Sequence, residues 1–261
     1  MPQDPTGAEI SPDGLWRWDG QVWVPNQALS RLPAPLAFGD VISIPARDPR
    51  WFGKCGIQGL IALIPIYGSF ELLGWSLSYL DNLRAGRPWL PEAGFGYARR
   101  GFRTGLVALI YSLVGVILFY AAFGAVFFAM VSTAPQGTAA GSAAPSGAGS
   151  FPAFFFAGFF ALQGALVLLY GLLHLVVVPV ILRTERHGVA AGLNLIGAAR
   201  LAMDDPRTAG LAAVLVFLVW FIASLGVYAC LVGVVFSYGY AAAMLGATVR
   251  WYEERLPAAQ E

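Results

Sequence analysis

The chain has 261 residues, 57% hydrophobic and 12% charged, with a mean hydropathy of +0.65 and a formal net charge of +1. Soluble domains carry about 25% charged residues, so this composition argues against a soluble globular class. No basic domain stands apart, which argues against a nucleic-acid partner.

In chain order, Met1–Asp13 is polar and reads as disordered, with no basic leader running into a short apolar core as a signal peptide would. Asp19-Gly20 between Leu15–Trp18 and Gln21–Val24 is a hairpin signal, since glycine tolerates the positive φ of a tight turn. Trp16, Trp18 and Trp23 would supply its apolar surface and are the candidate partner-binding residues. Residues 1–30 thus read as a tail with a Trp-rich hairpin, and 31–50 as a Pro-containing linker.

The first apolar segment, residues 51–80, is interrupted by Ile64-Pro-Ile-Tyr-Gly68 and carries Glu71. Proline and glycine so close together kink or turn a helix. The segment either crosses once, kinked, or re-enters and returns to its own side; it is too short for two full crossings. Asp81–Arg103 is polar and basic, and Phe95–Phe102 within it could form a short interfacial amphipathic helix. From Thr104 to Leu182 there is no Asp, Glu, Lys or Arg, far more than the ~20 apolar residues of one crossing. This predicts spans over 106–131 and 151–182, joined by a flexible Ala/Gly/Ser/Pro loop at 132–150. An amphipathic helix is predicted over 188–204, and Asp205-Pro206 is a helix start, with Asp as cap and Pro at the first position. Thr208–Val249, free of charge, would extend about 60 Å as one helix, so it is expected to break into a hairpin near Ser224–Gly226. The fold class is therefore an all-α polytopic membrane bundle with interfacial amphipathic helices and a small N-terminal β-hairpin.

Every Lys and Arg lies before Cys55, in Arg84–Arg103, in Arg183–Arg207 or after Val249. The positive-inside rule then places the 132–150 loop outside and the basic loops inside. With a re-entrant first segment and a terminal hairpin, both termini would be cytoplasmic, and the expected location is a bacterial inner membrane. An internal repeat is suggested by comparing Ile61–Ile110 with Ala165–Val214: each has an apolar segment, a basic turn, an amphipathic piece with a GxxxG pair (Gly101/Gly105, Gly188/Gly192) and a second apolar segment. Parallel repeats of this kind occur in some transporters.

Two resemblances follow from these residues. Pro12-Asp13-Gly14, Trp18-Asp19-Gly20 and Trp23 resemble the short Trp-Asp-Gly module at the termini of many bacterial membrane proteins, which implies a cytoplasmic appendage. Arg47-Asp-Pro-Arg-Trp51, Gly56–Gly68 with its Ile-Pro-Ile, Gly74, Leu80–Arg84, Leu90-Pro-Glu92 and Gly101 together resemble a prokaryotic membrane family catalogued as domain of unknown function four thousand and thirteen. That resemblance runs from about Phe38 to Glu254, strongest before Ile110. It implies the membrane architecture and no reaction. Glu71 departs from the apolar character expected at its place.

Glu71 and His174 are the candidate intramembrane polar site. A carboxylate in an apolar segment costs roughly 2.5–3.5 kcal/mol on insertion scales and needs a partner. Burial would raise its pKa, and a Glu71–His174 pair would suit a proton or ion site. The alternative is a Glu71 satisfied near a re-entrant turn and a His174 used in packing. Cys55 and Cys230 lie in apolar stretches and read as buried thiols. No metal spacing, catalytic triad or phosphate loop is present, so no cofactor and no catalytic residue is assigned. Trp51, Trp89 and Trp251 beside the basic loops fit anionic headgroups. The partners expected are the lipid bilayer, anionic lipids, a protein bound by the Trp hairpin, and a second copy through small-residue faces such as Ala242-xxx-Gly246. The leading function is a non-enzymatic membrane scaffold or accessory protein. The alternative is a small transporter or channel using Glu71 and His174 between two repeats.

Overall fold

The computed structural model describes residues 16–18, 21–25, 35–133, 150–228 and 230–256. Their architecture is all-α. The helices are α1 (Phe38–Ser43), α2 (Trp51–Ala62), α3 (Tyr67–Arg84), α4 (Ala98–Thr133), α5 (Ser150–His187), α6 (Val189–Leu193), α7 (Leu195–Asp204), α8 (Pro206–Tyr228) and α9 (Cys230–Glu253). Trp16–Trp18 pairs antiparallel with Trp23–Pro25, Trp18 opposite Trp23. Asp19-Gly20 and most of residues 1–30 lie outside the described residues. Three residues a side is too little to count as a β element of the fold, and the predicted appendage does not enter the architecture.

Among the described residues, three helices are long and apolar enough to cross a bilayer: Ala98–Phe128, Phe156–His187 and Pro206–Tyr228. These mark the chain as a membrane protein. It divides into two compact units, residues 1–106 with 174–261, and residues 107–173. The described residues of the second unit are 107–133 of α4 and 150–173 of α5, which expose Leu113, Ile117 and Phe128, and Phe156, Phe160 and Leu172. Of the 132–150 loop, residues 134–149 lie outside the described residues.

The first unit is built around α9, and its close contacts are made by small residues. Lipid tails are as apolar as leucine, so helices in a bilayer gain from close backbone approach rather than from leaving water. A Cβ at Gly59 of α2 would overlap the Val235 carbonyl oxygen of α9, and one at Gly239 of α9 would overlap that of Cys55. Gly246 lies against the Ser76 carbonyl of α3. Gly226 of α8 meets Gly233 of α9, and Ser237 donates to the Ala223 carbonyl at 3.1 Å. The small-residue spacings of α9 are thus used within the chain. Ser224–Gly226, where the break was predicted, is helical within α8 and carries the close packing; α8 is described to Tyr228 and α9 from Cys230. Around these contacts lies a buried core that includes Leu36, Trp75, Tyr79, Leu182, Leu215, Trp251 and Tyr252.

Several predicted segments take another form. Within the predicted 31–50 linker, the described residues 35–50 are not a plain linker, because Leu36, Val41 and Ile44 are apolar anchors buried in the core. They fold as α1 followed by a 3-10 turn over Ile44–Arg47. Residues 188–204 form two helices, broken where the Asn194 side chain turns back to cap α7 by accepting from Gly197 N. Gly188 has φ +85 and open space around it, so it serves the turn, whereas Gly101 packs against Phe70 and Gly74. Asp205 caps α8, its carboxylate accepting from Thr208 N at 3.1 Å. Trp251, expected at the headgroups, is buried against Phe38 with the Arg255 guanidinium 4.1 Å from its ring centre.

Residues 51–80 are two helices folded against each other. α2, with 12 residues, rises about 18 Å, short of a ~30 Å hydrocarbon core. After the turn Leu63–Ile66 the chain folds back, with Gly68 seated against the Ile61 carbonyl. The start of α2 lies beside the segment that follows α3, through Lys54 to the Leu90 carbonyl at 2.8 Å and Arg50 to Glu92 at 2.8 Å. The pair therefore begins and ends side by side. Residues 95–97 are non-helical, and Ala98–Phe102 begins α4, so the separate amphipathic helix predicted over 95–102 does not form.

Candidate functional site

Residues 85–97, between α3 and α4, form an irregular strap. Pro88 and Pro91 remove backbone donors and bar helix, and Gly94 and Gly96 take φ values of +154 and +114. Side chains of α2 and α3 hold the strap along its length. Tyr79 donates to the Pro88 carbonyl at 3.2 Å, Asn82 to that of Trp89 at 3.0 Å and Trp75 to that of Pro91 at 3.3 Å. Gln58, fully buried, accepts from Gly94 N at 3.3 Å. Each satisfies a backbone group that would be costly to bury alone.

Buried titratable side chains anchor both ends. At one end Lys54 Nζ meets Asp48 Oδ2 at 3.0 Å, and the same oxygen accepts from Leu90 N at 3.0 Å. Asp48 also accepts from Arg50 N at 2.8 Å, at the start of α2. At the other end stands Glu71, 0% exposed. Its carboxylate accepts from Tyr67 Oη at 2.6 Å, Gly96 N at 3.1 Å and Tyr97 N at 2.7 Å. Gly96 and Tyr97 immediately precede α4, so a carboxylate of α3 caps the start of α4, where unpaired amides and the helix dipole favour negative charge. Burial opposes ionisation, but the hydrogen bonds from Tyr67, Gly96 and Tyr97 outweigh it and hold the carboxyl below its usual range. Sequence reasoning expected the reverse direction; converging amides decide it.

Among the described residues, the hydrogen-bond donors to Glu71 are Tyr67, Gly96 and Tyr97; His174, buried on α5, is not one of them. Trp16 and Trp23 have no described side chain, and Trp18 is partly buried. Asp48, Lys54 and Gln58 were passed over in the sequence. The signal for them was a single lysine in the first turn of an apolar helix, six residues after an aspartate. The stretches compared as repeats also differ in build: the strap is irregular, whereas residues 189–193 and 195–204 are helical.

A third polar cluster ties the helix ends together. Glu253 of α9 pairs with Arg84 of α3 at 2.9 Å and with Arg186 of α5 at 3.0 Å. Burial opposes its ionisation, but the two guanidinium groups hold it below the usual carboxylate range. Arg100 bridges Asp81 and Glu185, and Arg250 reaches Glu254 at 2.9 Å. The Cys55 thiol is pushed up to about 12 by burial, with Asp48 adding to it, which leaves it a packing group. Among the described residues no three His, Cys, Asp or Glu side chains are grouped to hold a metal ion.

Scans against protein-family models, curated proteins and solved structures return no match to the chain. The family resemblances therefore remain expectations carried by the residues quoted for them.

Proposed function

We propose that the protein is a non-enzymatic membrane scaffold or accessory protein that engages partners or lipids at its cytoplasmic face. The observation that carries this reading is the use made of Glu71. The sharpest candidate for intramembrane chemistry is committed to holding the strap and capping α4. Lys54 and Asp48 are committed in the same way. Effort spent on rigid positioning at one end of the unit suits a docking platform better than a proton path. Exposed Arg87, Arg99, Arg103 and Arg207 supply that end with positive charge for an inner-leaflet surface. On this reading the Trp-rich segment around Trp16, Trp18 and Trp23 is an appendage that recruits a protein partner, and both termini face the cytoplasm.

The test is a mild-detergent pull-down with mass spectrometry, comparing the wild type with Trp18→Ala/Trp23→Ala. The proposal expects a partner captured by the first and missing from the second. Ion or solute flux in proteoliposomes that disappears in Glu71→Gln, with folding intact, would replace it with the transporter reading.

A further inference from the structure

A groove of about 750 Å³ opens beside the α2–α3 turn, lined by Pro65, Ile66, Tyr67 and Phe70 on one wall and by Ala98, Arg99, Phe102 and Arg103 of α4 on the other. Its volume falls in the range of small-ligand sites, about 300–1,000 Å³. One part is basic. Arg99 and Arg103, a helical turn apart, are both exposed and make no ion pair or hydrogen bond among the described residues. No acidic side chain lines the groove, and Glu71, behind Tyr67, is fully buried and occupied. The other part is apolar, with Ile66 68% and Phe102 54% exposed.

Ile66 is held there at some cost. Its φ of +64 and ψ of −62, with Tyr67 N donating to the Pro65 carbonyl at 2.7 Å, make a γ-turn of the strained, positive-φ kind. A β-branched residue in that region is a rare outlier. The turn keeps an aliphatic side chain at the rim of the groove. The groove also opens at the first turns of a helix long and apolar enough to cross a bilayer, where headgroups meet acyl chains.

From these observations we infer that the groove is a binding site for an anionic phospholipid. Arg99 and Arg103 receive the phosphodiester, to which guanidinium forks are suited, and Ile66, Phe70 and Phe102 receive the first methylenes of a chain. The inference deepens the proposed engagement of lipids and rests on that reading for the side of the membrane involved.

The full chain, purified in mild detergent, is titrated with short-chain phosphatidylglycerol or phosphatidylcholine and read by native mass spectrometry. Phosphatidylglycerol should bind in preference. Arg99→Gln/Arg103→Gln should weaken it roughly thirtyfold, since each basic side chain at a membrane surface strengthens binding about fivefold. Arg103→Gln alone, should the double variant fail to fold, is expected to weaken it about fivefold. Arg47→Gln, outside the groove and paired with Asp40, should leave binding unchanged. Excess inorganic phosphate should not compete, because it lacks the apolar part. Equal binding of the two lipids, unchanged binding by the folded arginine variants, or displacement by inorganic phosphate would each overturn the inference. The Trp18→Ala/Trp23→Ala chain should retain the lipid, so failure of the partner reading and failure of this site are separable.

Discussion

Glu71 accepts three hydrogen bonds in a place where a charge is otherwise expensive. Replacing it by Gln removes the charge and turns an amide NH₂ toward backbone N–H donors. Glu71→Gln should therefore destabilise the protein by roughly 2 kcal/mol, measured by thermal unfolding in detergent. The sign of the pH dependence follows from the lowered carboxyl. A group more acidic when folded contributes stability that is complete above its unfolded pKa and is lost as pH falls through its folded pKa. Glu253 has the same sign. Acidification below the ordinary carboxylate range should lower the unfolding midpoint, and Glu71→Gln should flatten that acid limb. A midpoint rising on acidification would contradict the assignment. Lys54→Met leaves Asp48 buried without its counter-charge and should cost about 3–5 kcal/mol in the same assay. Glu71 was legible in the sequence because a carboxylate interrupts an apolar run. Its partners were not, because two of them are backbone amides that carry no mark of their own.

Helix packing in this chain depends on where a glycine meets backbone rather than side chain. Gly56 and Gly59 both face α9 from α2, but a Cβ at Gly56 would meet the ring of Phe236, whereas at Gly59 it would overlap the Val235 carbonyl. A ring can turn aside and a helix backbone cannot. Gly59→Ala should cost about 3 kcal/mol or more and Gly56→Ala roughly 1 kcal/mol, judged against overpacking penalties of 1–3 kcal/mol. Equal midpoints for the two variants would contradict the described packing of α2 on α9. At this scale the long helices were legible from hydropathy and the α8 start from Asp205-Pro206, because both signals are local. The strap was not legible as a unit. Its form depends on Tyr79, Trp75, Gln58 and Glu71 reaching across from other elements, and the Phe95–Phe102 pattern resembled a short helix. The linker over residues 31–50 was misread for a related reason: Leu36, Val41 and Ile44 become a core face only when α9 is beside them.

For the whole molecule, the central claim is that both ends of the α2–α3 pair lie on one side of the membrane, the side that carries the ion-paired helix ends. A chain free of Cys55 and Cys230 can bear a single cysteine at Ser43, before α2, at Arg87, after α3, or at Thr138, in the stretch between α4 and α5. Each is labelled with a membrane-impermeant maleimide in intact and in permeabilised cells. The account predicts that Ser43→Cys and Arg87→Cys react only after permeabilisation, whereas Thr138→Cys reacts in intact cells. Reaction of Ser43→Cys and Arg87→Cys from opposite sides would show that residues 51–80 cross the membrane, and would contradict the account.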